Sequence, residues 1–322
     1  MNWFINNSSA IEFWRGNAVR TALTNPILPA AELPIGPPPT SGILHGNLWG
    51  LTTPVHILVG SRNARKKNRR LQCHAFTGKL PKGNFVQLNE NFAVSTPEFC
   101  FLQMADELSL FELILLGYEF CGNYRLDLDP DSERGFVERK PLTSIARLRS
   151  FIDGAPGVHG RKQALKALPF IAERSASPME SALAIMLTLP VELGGLGLPL
   201  PEMNYPHRIR TNVGGMIGCV FSCDLYWRRG LVDIEYDSDK YHTKAKRRAK
   251  DAKRRNALQE DGVRVLTATF ELITNTQELL RLAASAYARL QIPFPEIEPE
   301  FAARHLHLRD TLLRCCGVAG NS

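Results

Sequence analysis

The chain has 322 residues, 44% of them hydrophobic, and carries a formal net charge of +7, enough for two or three packed domains or one large domain with appendages. Seven cysteines, odd in number and without framework spacing, argue against a disulfide scaffold and for free thiols in a reducing cytoplasm. No apolar run reaches transmembrane length and no basic-then-apolar leader opens the chain, so a cytoplasmic protein without a membrane partner is expected.

Near the N-terminus, Ser9 and Glu12 have the spacing of a capping box and predict a short helix through Phe13, Trp14 and Arg15. Prolines recur over 26–39 and predict an extended connection. Residues 54–59 read as a buried strand. They are followed by a cationic run, Arg62, Arg65, Lys66, Lys67, Arg69 and Arg70, which suits either phosphate contact or a solvated loop. Apolar residues at helical spacing predict one helix over 96–116 ending at Gly117, with Asp106 and Glu107 on its polar face. Further helices are expected over 142–152 and 161–170, so the first half reads as a mostly helical, mixed α/β region.

Ser177, Pro178 and Glu180 form a capping signature before Ala182, Leu183, Met186 and Leu187, predicting a helix of about four turns towards Gly194. Glu180 has two readings, a partner of the cap or an acidic group aimed at a site. Residues 194–206, rich in glycine and proline, read as a crossing loop. Residues 220–226 have strand character, and 231–237 alternate strictly. Leu231, Asp233, Glu235 and Asp237 fall on one face, and Val232, Ile234 and Tyr236 on the other. A two-residue loop at Arg229-Gly230 sets Asp224 opposite Glu235, whereas a four-residue loop sets it opposite Asp233. Either way carboxylates converge, which suits a solvated acidic face or a cation. A Mg²⁺ site made by Asp224, Glu235 and Asp237 is the sharper expectation. Cys219 and Cys223 are four apart, but no second pair completes a zinc set.

A basic helix is expected over 243–261, with Ala245, Ala249 and Ala252 as a packing stripe and Lys244, Arg247, Arg248, Arg254 and Arg255 among the cations on its other faces. A strand over 263–269, a helix from the Asn275 cap to about 290 and a last helix over 301–313 complete the chain. The order from 177 onward is an α/β sandwich pattern with a mixed sheet. The expected segments are an N-terminal helix and extended stretch over 1–50, a mixed α/β domain over 51–174, a second α/β domain over 175–292 and a C-terminal extension over 293–322.

Asp224, the run Ile234-Glu235-Tyr236-Asp237, His242, and the spaced Asp251, Arg254, Leu258 and Gly262 resemble the PD-(D/E)XK nuclease superfamily, in its branch related to very-short-patch repair endonucleases. The resemblance covers roughly residues 180–270. It implies a restriction-endonuclease-like α/β/α sandwich with Glu180, Asp224, Glu235 and Asp237 around a Mg²⁺ or Mn²⁺ ion. Asp237 stands where the superfamily's lysine would be, and Ser238 replaces the glycine that commonly follows. His242 or the basic helix could supply the missing cation; His242 could equally be a structural hydrogen-bonding group. Ser8 to Arg15 and residues 54–59 are similar to the N-terminal half of bacterial proteins related to abortive-infection antitoxins, which join a regulator-like module to such a nuclease-like domain.

The implied function is metal-dependent endonucleolytic cleavage of DNA, with Lys244, Arg247, Arg248, Arg254 and Arg255 on the phosphates. The alternative is a DNA-binding regulator or antitoxin-like protein on a non-catalytic nuclease fold. A toxin or other protein partner is not readable from the chain.

Overall fold

The computed structural model describes residues 3–17, 19–28, 32–36, 49–129, 131–211, 215–237 and 245–317, without the side chains of 20, 21 and 245–251. The chain divides into two compact units: Met1–Phe120 with Arg125–Val137 and Pro141–Pro169, and Cys121–Tyr124 with Glu138–Lys140 and Phe170–Ser322.

The first unit begins with β1 (Trp3–Ile5), α1 (Asn7–Arg15) and α2 (Val19–Ala22), then β2 (Val55–Val59), β3 (Leu71–Ala75), β4 (Phe85–Gln87) and β5 (Phe92–Ser95). The helices α3 (Pro97–Met104) and α4 (Leu110–Cys121) follow. The strands form one mixed sheet in the order β3-β2-β1-β5-β4. This is more strand than the sequence pattern suggests, because strands of three to five residues carry almost no periodicity. The expected capping box at Ser9 and Glu12 is not one. The helix starts at Asn7 after Asn6, the Ser9 hydroxyl accepts from the His56 amide, and Glu12 accepts from Thr52. The single helix expected over 96–116 is two. Ser109 and Glu112 cap the second one reciprocally, and it runs on through Gly117.

A short ribbon, β6 (Tyr124–Leu126) and β7 (Phe136–Glu138), is followed by α5 (Ile145–Asp153) and α6 (Arg161–Ala167).

The second unit opens with α7 (Pro178–Thr188), whose residues from Ala182 to Leu187 are completely buried. It stops short of the expected four turns because Pro190 forces Leu189 into an extended conformation (φ −60°, ψ 147°). The supposed crossing loop contains a strand, β8 (Glu202–Arg208), and then come β9 (Val220–Trp227) and β10 (Val232–Asp237). The helix α8 (Ala245–Glu260), β11 (Arg264–Thr269), α9 (Phe270–Thr274), α10 (Thr276–Leu290) and α11 (Phe301–Cys315) complete it. The sheet order β11-β10-β9-β8 leaves β8 at an edge, where Pro206 removes no needed ladder bond. The pair β10–β11 is parallel and β10–β9 antiparallel, so this sheet too is mixed.

A core of Cys223, Tyr226, Val263 and Val265 receives Ala257 and Leu258 of α8. The packing stripe of α8 is therefore Arg254, Ala257 and Leu258, with Asp261 just beyond its end. Of the expected alanine stripe, Ala252 is exposed, and the side chains of Ala245 and Ala249 lie outside the described residues. Among the described residues no helix is long and apolar enough to cross a membrane, and no disulfide joins any of the seven cysteines.

Candidate functional site

The hairpin between β9 and β10 turns at Arg228–Leu231, where the Leu231 amide donates to the Arg228 carbonyl at 3.3 Å around Arg229 and Gly230. Gly230 takes a φ of +81°, a left-handed conformation that its missing side chain permits. The register pairs Trp227 with Val232 and Leu225 with Ile234. Continued by one residue, it sets Asp224 opposite Glu235, the first of the two alignments anticipated. There the Asp224 carboxylate accepts the Tyr236 amide at 3.0 Å.

Depth changes steeply along the acidic face of β10. Asp233 is fully buried, Glu235 is partly buried and Asp237 is exposed at the strand's end. Neither oxygen of Asp233 meets an N–H or O–H donor among the described residues. Burial, followed by the charges of Glu235 and Asp224, pushes its carboxyl up to about 9. Asp233 is thus a neutral acid at physiological pH. The alternation places it on the acidic face, but nothing local to it signals that α8 packs over that part of the strand.

Glu180 is a partner of the cap, and its carboxyl also lies near Asp224. Its amide donates to the Ser177 hydroxyl at 3.1 Å, and its carboxylate accepts from the Ala176 amide at 3.0 Å and the Ser177 hydroxyl at 3.0 Å. The Asn204 side chain adds a third donor at 2.7 Å. Asn204 sits across the ladder from Asp224, between the pairs Met203–Leu225 and Tyr205–Cys223, with a left-handed φ of 47°. Burial raises the Glu180 carboxyl against those three donors. Burial also raises Asp224 well above the usual carboxylate range, helped by the charges of Glu180 and Glu235.

Among the described residues a positive charge is set among these acids by Arg254, whose guanidinium Nη2 donates to Glu235 Oε1. Burial works against its charge, but Glu235, Asp224 and Asp233 together raise its pKa. Arg254 thus points into the acidic group, and the sequence reading had placed it among the free phosphate-binding cations. Arg255 is partly buried, and its Nε has no hydrogen-bond partner among the described residues. Arg247 and Arg248 lie on α8 with side chains outside the described residues, and His242 and Lys244 lie wholly outside them.

The structure therefore brings together Glu180, Asp224, Glu235 and Arg254, adds Asp233, and leaves Asp237 at the solvent edge. Among the described residues no three His, Cys, Asp or Glu side chains are grouped as a metal site. The two carboxylates facing one another, Asp224 and Glu235, are hard oxygen donors. They fit a cation that takes one or two protein carboxylates and completes its shell with water and phosphate oxygens, as Mg²⁺ does.

A second polar constellation at the far end of α8 is structural. Asp261 accepts from the amides of Arg210 and Thr211 at 2.8 and 2.7 Å and meets His207 Nε2 at 2.8 Å. The other ring nitrogen of His207 meets the Tyr226 hydroxyl at 3.1 Å. These bonds tie the end of β8 to the end of α8.

The chain matches no family model, no curated protein and no solved structure.

Proposed function

We propose that the second unit is a divalent-metal-dependent DNA endonuclease with the α/β/α sandwich of the PD-(D/E)XK nucleases. The observation that carries this reading is the gathering of Asp224, Asp233 and Glu235 around the guanidinium of Arg254, with Glu180 beside Asp224. Carboxylates that raise one another's pKa bind a cation more favourably than they bind solvent.

Asp224 and Glu235 would hold a Mg²⁺ or Mn²⁺ ion. When bound, such an ion polarises a phosphate oxygen and lowers the pKa of an attacking water. Glu180, anchored by Ala176, Ser177 and Asn204, sits beside Asp224 and fixes that side of the group. Arg254 balances Glu235 and supplies, from the helix, the positive charge that the superfamily's lysine would supply from the strand. Lys244, Arg247, Arg248 and Arg255 would neutralise the flanking phosphates, so binding falls steeply with salt. Asp237 stands at the open end of the strand, and it and His242, which lies outside the described residues, would orient water.

The test is nicking of plasmid DNA with Mg²⁺ or Mn²⁺ by the full chain. Wild type cleaves, and Asp224→Asn and Glu235→Gln each lose activity by about a hundredfold or more. Cleavage that survives both substitutions overturns the assignment. The regulator reading is favoured by one observation, the guanidinium already seated on Glu235. It predicts salt-sensitive DNA binding with no metal-dependent cleavage.

A further inference from the structure

The cationic run of the first unit is absorbed by nothing in the second, and the structure gives it a place. Arg62, Arg65, Lys66, Lys67 and Lys79 border a cavity of about 920 Å³ lying wholly within the first unit. That volume falls at the upper end of the range of small-molecule sites.

The loop that carries Arg62, Arg65, Lys66 and Lys67 is ordered by its own hydrogen bonds, and Lys79 follows β3. Ser61 caps the turn at Arg62–Ala64, Asn68 Oδ1 accepts from the Arg70 and Leu71 amides at 2.9 Å, and the Lys66 carbonyl accepts from the Cys73 amide at 2.8 Å. Among the described residues none of the five cations forms an ion pair with a carboxylate. Like charges gathered around one cavity lower their repulsion by binding an anion.

The interior of the cavity is polar but not charged in the same sense. His74 lies 3.0 Å from His56, and burial, with the charges of His56 and Arg65, pushes it down to about 4, so its ring is neutral. Gln103 lines the cavity, and its side-chain Nε2 is a buried donor without a hydrogen-bond partner among the described residues. Phe76 and Leu58 add apolar wall. The carboxylates are Asp106 and Glu107, and burial raises the latter's pKa while Asn7 donates to it.

We propose that this cavity binds a free nucleotide, its phosphates on the five cations and its base in the interior against the apolar face of Phe76. A phosphate rim beside an apolar wall is complementary to a nucleotide. A bare inorganic anion would leave the interior unfilled, and a nucleic-acid backbone would use the rim alone.

Isothermal titration of the full chain with the four ribonucleoside triphosphates, AMP, adenosine, inorganic phosphate and a short DNA duplex tests this. At least one nucleotide binds saturably, at least about tenfold tighter than adenosine or phosphate. Arg65→Glu and Lys79→Glu, exposed substitutions whose folding is checked by circular dichroism, each weaken it about tenfold or more, while Arg255→Glu in the second unit leaves it unchanged. Binding of the duplex but of no nucleotide overturns the proposal, as does no binding of any probe or nucleotide binding indifferent to both charge reversals. None of these outcomes depends on whether the second unit cleaves DNA.

Discussion

Asp233 and Glu235 stand two residues apart on one strand face and are stabilised in opposite ways, the first by giving up its charge and the second by pairing it with Arg254. Sequence alternation puts both on the acidic face but is blind to depth, which depends on where α8 settles. Removing Arg254 leaves Glu235 part-buried beside Asp224 without its counter-ion. Arg254→Ala is expected to cost on the order of 2 kcal/mol in chelator. If the acids accept a divalent ion, Mg²⁺ restores part of that loss, which thermal melts with EDTA and with Mg²⁺ measure. Asp261 gives the pH prediction. Burial opposes its charge, but the His207 contact and the Thr211 and Arg210 amides win and pull its carboxyl down to about 2. A carboxyl depressed on folding adds stability that is complete above its unfolded value near 4 and is lost as pH falls through about 2. Asp261→Ala should therefore lower the melting temperature at neutral pH, and the gap to wild type should close between about pH 4 and pH 2.

At the scale of elements, the strongest sequence signals were those with a local mechanism. The Ser177 cap, the Asn275 cap, whose side chain accepts from the Gln277 and Glu278 amides, and the alternation of β10 all appear where the residues place them. The failures have equally local causes. The helix expected to reach Gly194 ends early because Pro190 constrains Leu189, and β8 hides in a stretch whose proline is tolerated only because the strand is at an edge. Ser177→Ala should cost about 1 kcal/mol in urea denaturation, since it removes the hydroxyl that caps α7 and also holds Glu180. Gly194 is more constrained. It takes a φ of +86°, and a Cβ there would lie 2.5 Å from the Arg304 carbonyl oxygen. Gly194→Ala is expected to cost about 3 kcal/mol in the same measurement, because the contact is with backbone that cannot step aside.

Across the whole molecule, the net charge of +7 resolves into separate concentrations of cations, one on the cavity of the first unit and one along α8 in the second. The second unit was more legible than the first because its carboxylates, caps and basic helix each follow from residue spacing. The strands of the first unit are too short for periodicity, and its cavity is assembled from segments far apart in the chain. Geometry also supplied what spacing could not, the inward turn of Arg254. The central claim is that Asp224 and Glu235 are poised for a divalent cation, and titration calorimetry with Mn²⁺ on the full chain tests it most directly. Wild type should bind Mn²⁺ saturably, and Asp224→Asn and Glu235→Gln should each weaken binding by about tenfold or more. Mn²⁺ binding that is absent in wild type, or equal in all three proteins, would contradict it.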